Sequence, residues 1–126
     1  MKQLLILICL FFVLQAQAQE NSKPKQWLGI LTLADKYKDP KNWTNADEAI
    51  TGEHFQRLIK IKNEGVVILA GRTQLELADP GMMGLVIFYA KHEKEAMQFM
   101  QDDPAVKNKI MLVKVVPYGV AVNKCE

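Results

Sequence analysis

The sequence predicts an α+β fold of the ferredoxin-like kind, a four-stranded antiparallel sheet with two helices on one face. Three observations predict it. Strand-like and helix-like segments alternate in the order βαββαβ. The strand segments are short, β-branched apolar runs bounded by turn residues, while two other segments place apolar residues at helical spacing. The chain has 126 residues, room for one domain and no more.

Taken in order, Gln26 to Ala34 reads as a polar residue followed by a nearly continuous apolar run, which predicts a buried strand over 27–34. Residues 35–44 carry Pro40 and Asn42 among several charges and are predicted to form a loop. Thr44 and Thr51 are both candidate N-caps for a helix that reaches about Glu64, with Gly65 placed to end it. Residues 66–72 make the second strand. Asp79-Pro80-Gly81 marks a turn in the 73–83 connection, and 84–90 make the third strand. Ala96, Phe99 and Met100 stand at i, i+3 and i+4 in a short amphipathic helix over 92–101, which Asp102-Asp103-Pro104 ends. Residues 110–122 make the fourth strand. Right-handed crossovers put strands one and three at the centre of the sheet and strands two and four at its edges. Pro117 agrees, because an edge strand can spare a ladder donor.

Composition excludes several classes. Hydrophobic residues make 49% and charged residues 24%, a globular balance rather than a disordered one. A net charge of +2 does not advertise a nucleic-acid partner. Two cysteines do not make a disulfide scaffold. The first 18 residues have their own logic. Lys2 precedes an apolar run from Leu4 to Leu14, 11 residues long. That is too short to cross a hydrocarbon core, which takes roughly 20. Ala16-Gln17-Ala18 then supplies a small-x-small cleavage pattern, so 1–18 reads as a signal peptide cleaved after Ala18. The expectation is a secreted or periplasmic protein with no stable membrane anchor after cleavage. The mature chain opens on a polar leader, 19–26, carries its domain over 27–122, and ends on a tail, 123–126, that holds its single thiol, Cys125.

A sheet with one wet face alternates apolar and polar residues. These strands are apolar on both sides: Val66 and Ile68 against Val67 and Leu69, Leu85 and Ile87 against Val86 and Phe88. Two helices cover one face. The expected cover for the other is a second copy of the same sheet, a homodimer, and the rival is an apolar ligand.

Motifs for phosphate, dinucleotide or zincin chemistry are missing, and His54, His92 and Cys125 have no ligand-like spacing, so neither a metal nor a cofactor is expected. His92 reads as solvated surface. His54 does not. On a helix it lies in one stripe with Ile50, Leu58 and Ile61, whereas Glu53, Gln56, Arg57, Lys60 and Glu64 form the expected solvent side. The topology starts the first helix at the end of the domain where the second stops, which brings His54 near Asp103. An imidazole oriented by a carboxylate is an acid–base unit. The alternative is that Asp103 only ends a helix before Pro104 and that His54 is a hydrogen-bonded packing residue.

At these residues the sequence resembles the YCII-related proteins of the dimeric α+β barrel superfamily. The matching features are His54-x-x-x-Leu58, the stretch from Glu64 through Gly71 that runs into strand two, and Asp103-Pro104 followed by a strand ending near Val116-Pro117-Tyr118. The resemblance covers roughly 27–120. It implies a dimeric α+β barrel with facing sheets and a catalytic pair that falls on His54 and Asp103. It also implies acid–base chemistry of a lyase or isomerase type on a small molecule, without a cofactor. The chain departs from the family in its signal peptide, in its longer 35–44 loop, and in Arg72, which stands after Ala70-Gly71 where relatives usually have Pro. Arg72 is either a residue binding an anionic ligand or an edge-strand charge that blocks aggregation. The leading expectation is a small-molecule enzyme. The alternatives are a non-catalytic dimeric binding module using the same cleft, and a purely structural dimer.

Overall fold

A computed structural model describes residues 23–123. The expected signal peptide, its cleavage site after Ala18, residues 19–22 of the polar leader and Cys125 lie outside the described residues. The order is β1 (Lys25–Leu33), α1 (Asn45–Asn63), β2 (Val67–Arg72), β3 (Gly84–Ala90), α2 (Glu93–Gln101), α3 (Pro104–Lys107) and β4 (Met111–Pro117). The strands form one antiparallel sheet in the order β2-β3-β1-β4. Strands one and three are therefore central, the ferredoxin-like arrangement that the element order predicts.

Local chemistry sets the boundaries. Thr44, not Thr51, caps α1. Its hydroxyl accepts from the Asp47 amide while the Asp47 carboxylate accepts from the Thr44 amide, a reciprocal capping box. Thr51 sits about two turns inside and donates its hydroxyl to the Asp47 carbonyl. At the far end Gly65 takes φ +80°, a conformation that a side chain would strain. The expected 35–44 loop is more ordered than its composition suggests. It holds two 3₁₀ turns, Asp35–Lys38 and Pro40–Asn42. The ring of Tyr37 is buried and meets Trp43 edge-on at 5.2 Å. Tyr37 also donates its hydroxyl to Asp47, and Trp43 donates its indole N–H to the Tyr37 carbonyl. Three differences from expectation exceed a single residue. β1 begins two residues early, at Lys25, because Lys25 and Gln26 still pair with Ala90 and Tyr89. β4 ends at Pro117, not at 122, because its last pairing with β1 is Trp27↔Pro117. The second helix is followed at once by α3, which starts on Pro104 with Asp103 as its cap.

The register divides the sheet into two faces. Trp27, Leu31, Val67, Val86, Phe88, Ala90 and Val115 point to the helices and are buried with Leu58, Ala96 and Met100. Gly29 lies in this row because α2 comes so close: a Cβ there would stand 2.7 Å from the Met100 methyl group. A second cluster at one end joins Leu33, Tyr37, Ala105 and Ile110. The opposite face carries Leu28, Ile30, Leu85, Ile87 and Val116, all partly accessible, with Leu69, Tyr89 and Leu112 exposed and Lys114 among them. No described element covers it.

Candidate active site

His54 is placed by α1 and Asp103 by the junction of α2 and α3. The helices are antiparallel neighbours, so the start of one meets the end of the other. The His54 Nδ1 lies 2.8 Å from Asp103 Oδ2. Asp103 is only 1% exposed and uses both of its oxygens. Oδ1 accepts from the Ala105 amide at 2.9 Å, the N-cap bond of α3. Oδ2 accepts from His54 and, at 3.5 Å, from the Arg57 guanidinium. The helix-capping role and the His54 partnership, set out above as alternatives, thus coexist on two oxygens of one carboxylate.

Burial pushes the Asp103 carboxyl up. The His54 hydrogen bond and charge, the Ala105 amide and the nearby Arg57 charge outweigh it and hold the group below the usual carboxylate range. Asp103 is therefore an anion at neutral pH and can only accept hydrogen bonds. The short contact must then be Nδ1–H donating to Oδ2. In the neutral imidazole this leaves the Nε2 lone pair as the free position. The His54 side chain is 12% exposed, and its opening is into a cleft that it lines.

That cleft has a volume of about 740 Å³, within the range of small-molecule sites. Its walls come from α1 (Phe55, Leu58 and Ile59 beside His54), from the whole of β2, from Met82 and Met83 of the β2–β3 connection, and from Trp43 of the 35–44 loop. Phe55 is 60% exposed although it sits next to His54, because the edge of the cleft leaves it no neighbour to pack on. The 35–44 loop thus supplies an aromatic wall to the candidate site. The sequence pattern did not signal this, since Trp43 follows Pro40 and Asn42 in a turn-rich stretch.

Two sequence expectations need correction or extension. Arg57 does not belong to the solvent face. It reaches across to α2, where its guanidinium donates to the Phe99 carbonyl at 2.6 Å, lies 4.7 Å from the Phe99 ring centre, and faces Asp103. The Phe99 carbonyl is in the last turn of α2, where carbonyls lack helical partners and a cation is favoured. A polar residue in an amphipathic pattern is assigned to water by default, and only the position of a second helix end can reverse that. His92 is exposed as expected, and its ring also caps α2 by accepting from the Glu95 amide at 3.2 Å. Among the described residues no three His, Cys, Asp or Glu side chains converge as a metal would require.

Arg72 lines the same cleft as His54. The family model of the YCII-related domain matches residues 30–118, a span that contains the end of β1, α1, strands β2 to β4 and both members of the His54–Asp103 pair. No curated protein matches the chain.

Proposed function

The chain belongs to the YCII-related family, and from that membership and the cleft we propose that it is an exported small-molecule enzyme with His54 as its acid–base group. The observation that carries this reading is the bond between His54 Nδ1 and a buried, ionised Asp103, in a ring that also lines a cleft. A carboxylate on Nδ1 fixes the tautomer and orients the ring, which leaves Nε2 to take and return the proton. The apolar walls limit water around the reacting group. The reaction this equips is proton removal from, and return to, an activated carbon of the bound molecule, an isomerisation or elimination that uses protein groups alone. Asp103 is a positioning residue here, and Arg57 supports it.

Two further parts of the reading rest on their own support. The charge, length and Ala16-Gln17-Ala18 pattern of residues 1–18 support export, and N-terminal sequencing of exported protein then starts at Gln19. The uncovered apolar face of the sheet supports a homodimer in which two sheets meet. The mature protein then sediments at twice its chain mass, and a well-ordered monomer overturns that part.

The test of the central reading is a ligand screen by thermal shift on the mature protein, native against His54→Ala. Each ligand that stabilises the native protein is then incubated in deuterated water. Uptake of deuterium at a carbon of the ligand by the native protein, abolished in His54→Ala and strongly slowed in Asp103→Asn, is the expected result. Ligands that bind native protein without exchange or turnover overturn the catalytic reading and leave a binding module.

A further inference from the structure

The polar groups around the cleft are of one sign. Among the described residues the only charged side chains lining it besides His54 are Lys62 of α1 and Arg72 at the end of β2, with no Asp or Glu. Asp103 stands behind the imidazole and is fully buried. Among the described residues neither Lys62 nor Arg72 has an ion-pair or hydrogen-bond partner for its side chain. The rest of the wall is overwhelmingly apolar.

Arg72 reaches this position through an irregularity in the sheet. β2 pairs Val67 with Phe88, but then pairs Leu69 with Ile87 and Ala70 with Val86, so one extra residue stands in β2 at Ile68. Side chains alternate along a strand, and one inserted residue exchanges the faces of everything beyond it. Without the bulge Arg72 would share the face of Leu28 and Ile87. With it, Arg72 pairs with Gly84, in the row of Val86 and Phe88 that faces the helices. Arg72 is exposed, and its partner across the ladder, Gly84, has no side chain to compete with it on that face. An edge-strand charge whose purpose is to block aggregation needs neither the bulge nor a place on a ligand-sized cleft.

We propose that the cleft takes an organic carboxylate with an apolar body, its charged end held by Arg72 with Lys62 beside it and its apolar part lying along Phe55, Leu58 and Ile59 toward His54. A guanidinium matches a carboxylate with two parallel hydrogen bonds, and an apolar surround raises the value of that pairing. The absence of acids on the wall means that an anion meets no repulsion, whereas an amine of the same shape would meet only cations. The inference rests on the reading of this cleft as the ligand site of His54, and it names the class of molecule that the site admits.

The test is calorimetric titration of the mature protein with three probes of one chain length: octanoate, octanol and octylamine. Native protein is expected to bind octanoate at least roughly tenfold more tightly than octanol, about the worth of one charge-assisted hydrogen bond, and octylamine least. Arg72→Gln brings octanoate down to the level of octanol and leaves octanol unchanged. Lys60→Gln removes the same charge from an exposed position of α1 outside the cleft and leaves all three unchanged, so a general attraction of anions to a basic protein is separated from a site. The proposal is overturned if native protein binds octanoate no better than octanol, or if Arg72→Gln and Lys60→Gln behave alike. Its fate is separable from that of the acid–base reading. Octanoate binding that depends on Arg72, with no deuterium uptake into any ligand, upholds the anion site and removes the enzyme. Uptake into neutral ligands with no octanoate preference does the reverse.

Discussion

The two halves of the domain are built from the same β-α-β unit and are packed to different standards. In β3-α2-β4 the helix lies hard against the sheet. Ala96 and Met100 are buried, Phe88 stacks on Phe99 at 4.4 Å, and Gly29 of the neighbouring strand gives up its side chain to let Met100 in. In β1-α1-β2 the longer helix stands off the edge strand, Phe55 and Ile59 remain exposed, and the gap is the cleft. Small residues at the contact decide the first case, because they let a helix approach a sheet closely. Bulky residues on α1 and a bulge in β2 decide the second. The lesson is one of division: one half supplies the stability that lets the other stay open around His54 and Arg72. Asp103 joins them, since it caps α3 beyond the packed helix and holds His54 and Arg57 of the open one.

The comparison can be broken most directly at Phe88. Phe88→Ala should cost about 3–5 kcal/mol of unfolding free energy, because Phe88 is fully buried and the packed half cannot collapse around the void. Denaturant unfolding measures it, and a loss below 1 kcal/mol would show that the packed half is not the stabilising one.

Asp103→Asn should cost about 2–3 kcal/mol at neutral pH, the usual worth of hydrogen bonds to a buried charge. It should also change the acid limb. The native Asp103 carboxyl is held below its ordinary value of 3.8. A depressed native value stabilises the fold fully above the unfolded value, and the contribution is lost as pH falls through the lower native one. Native protein should therefore lose stability as pH drops below the ordinary carboxylate range, and Asp103→Asn should lose less over that window. Some acid sensitivity persists in the variant, because Lys38 also lowers Asp35 and Thr44 also lowers Asp47. Parallel acid limbs for the two proteins would mean that Asp103 does not join the halves as an ion.

Gly29→Ala should cost about 1 kcal/mol, toward the low end of overpacking, since the Met100 thioether it meets is flexible although buried. The smallest effect belongs to the open half. Phe55→Ala should shift stability by no more than about 0.5 kcal/mol, as for an exposed side chain, while weakening octanoate binding. A large stability loss there would mean that the cleft wall is packed in solution and that the contrast between the halves is false.

Much of this was legible in the residues. Apolar periodicity and turn residues specify the six principal elements, and right-handed crossover specifies which strands are central, because these follow from local sterics and from burying one face of each element. The pairing of His54 with Asp103 was also within reach, since the topology alone brings one helix start to the other helix end. Three features were decided only by the tertiary structure. Arg57 left its expected solvent face because the unpaired carbonyls at the end of α2 happen to lie across from it, and no property of α1 records that. The face that Arg72 occupies depends on a single extra residue in the β2–β3 ladder, which composition does not mark. The cleft itself is a space between α1 and β2. A sequence lists the side chains that fill a fold, and a void exists only where elements distant in the chain fail to meet.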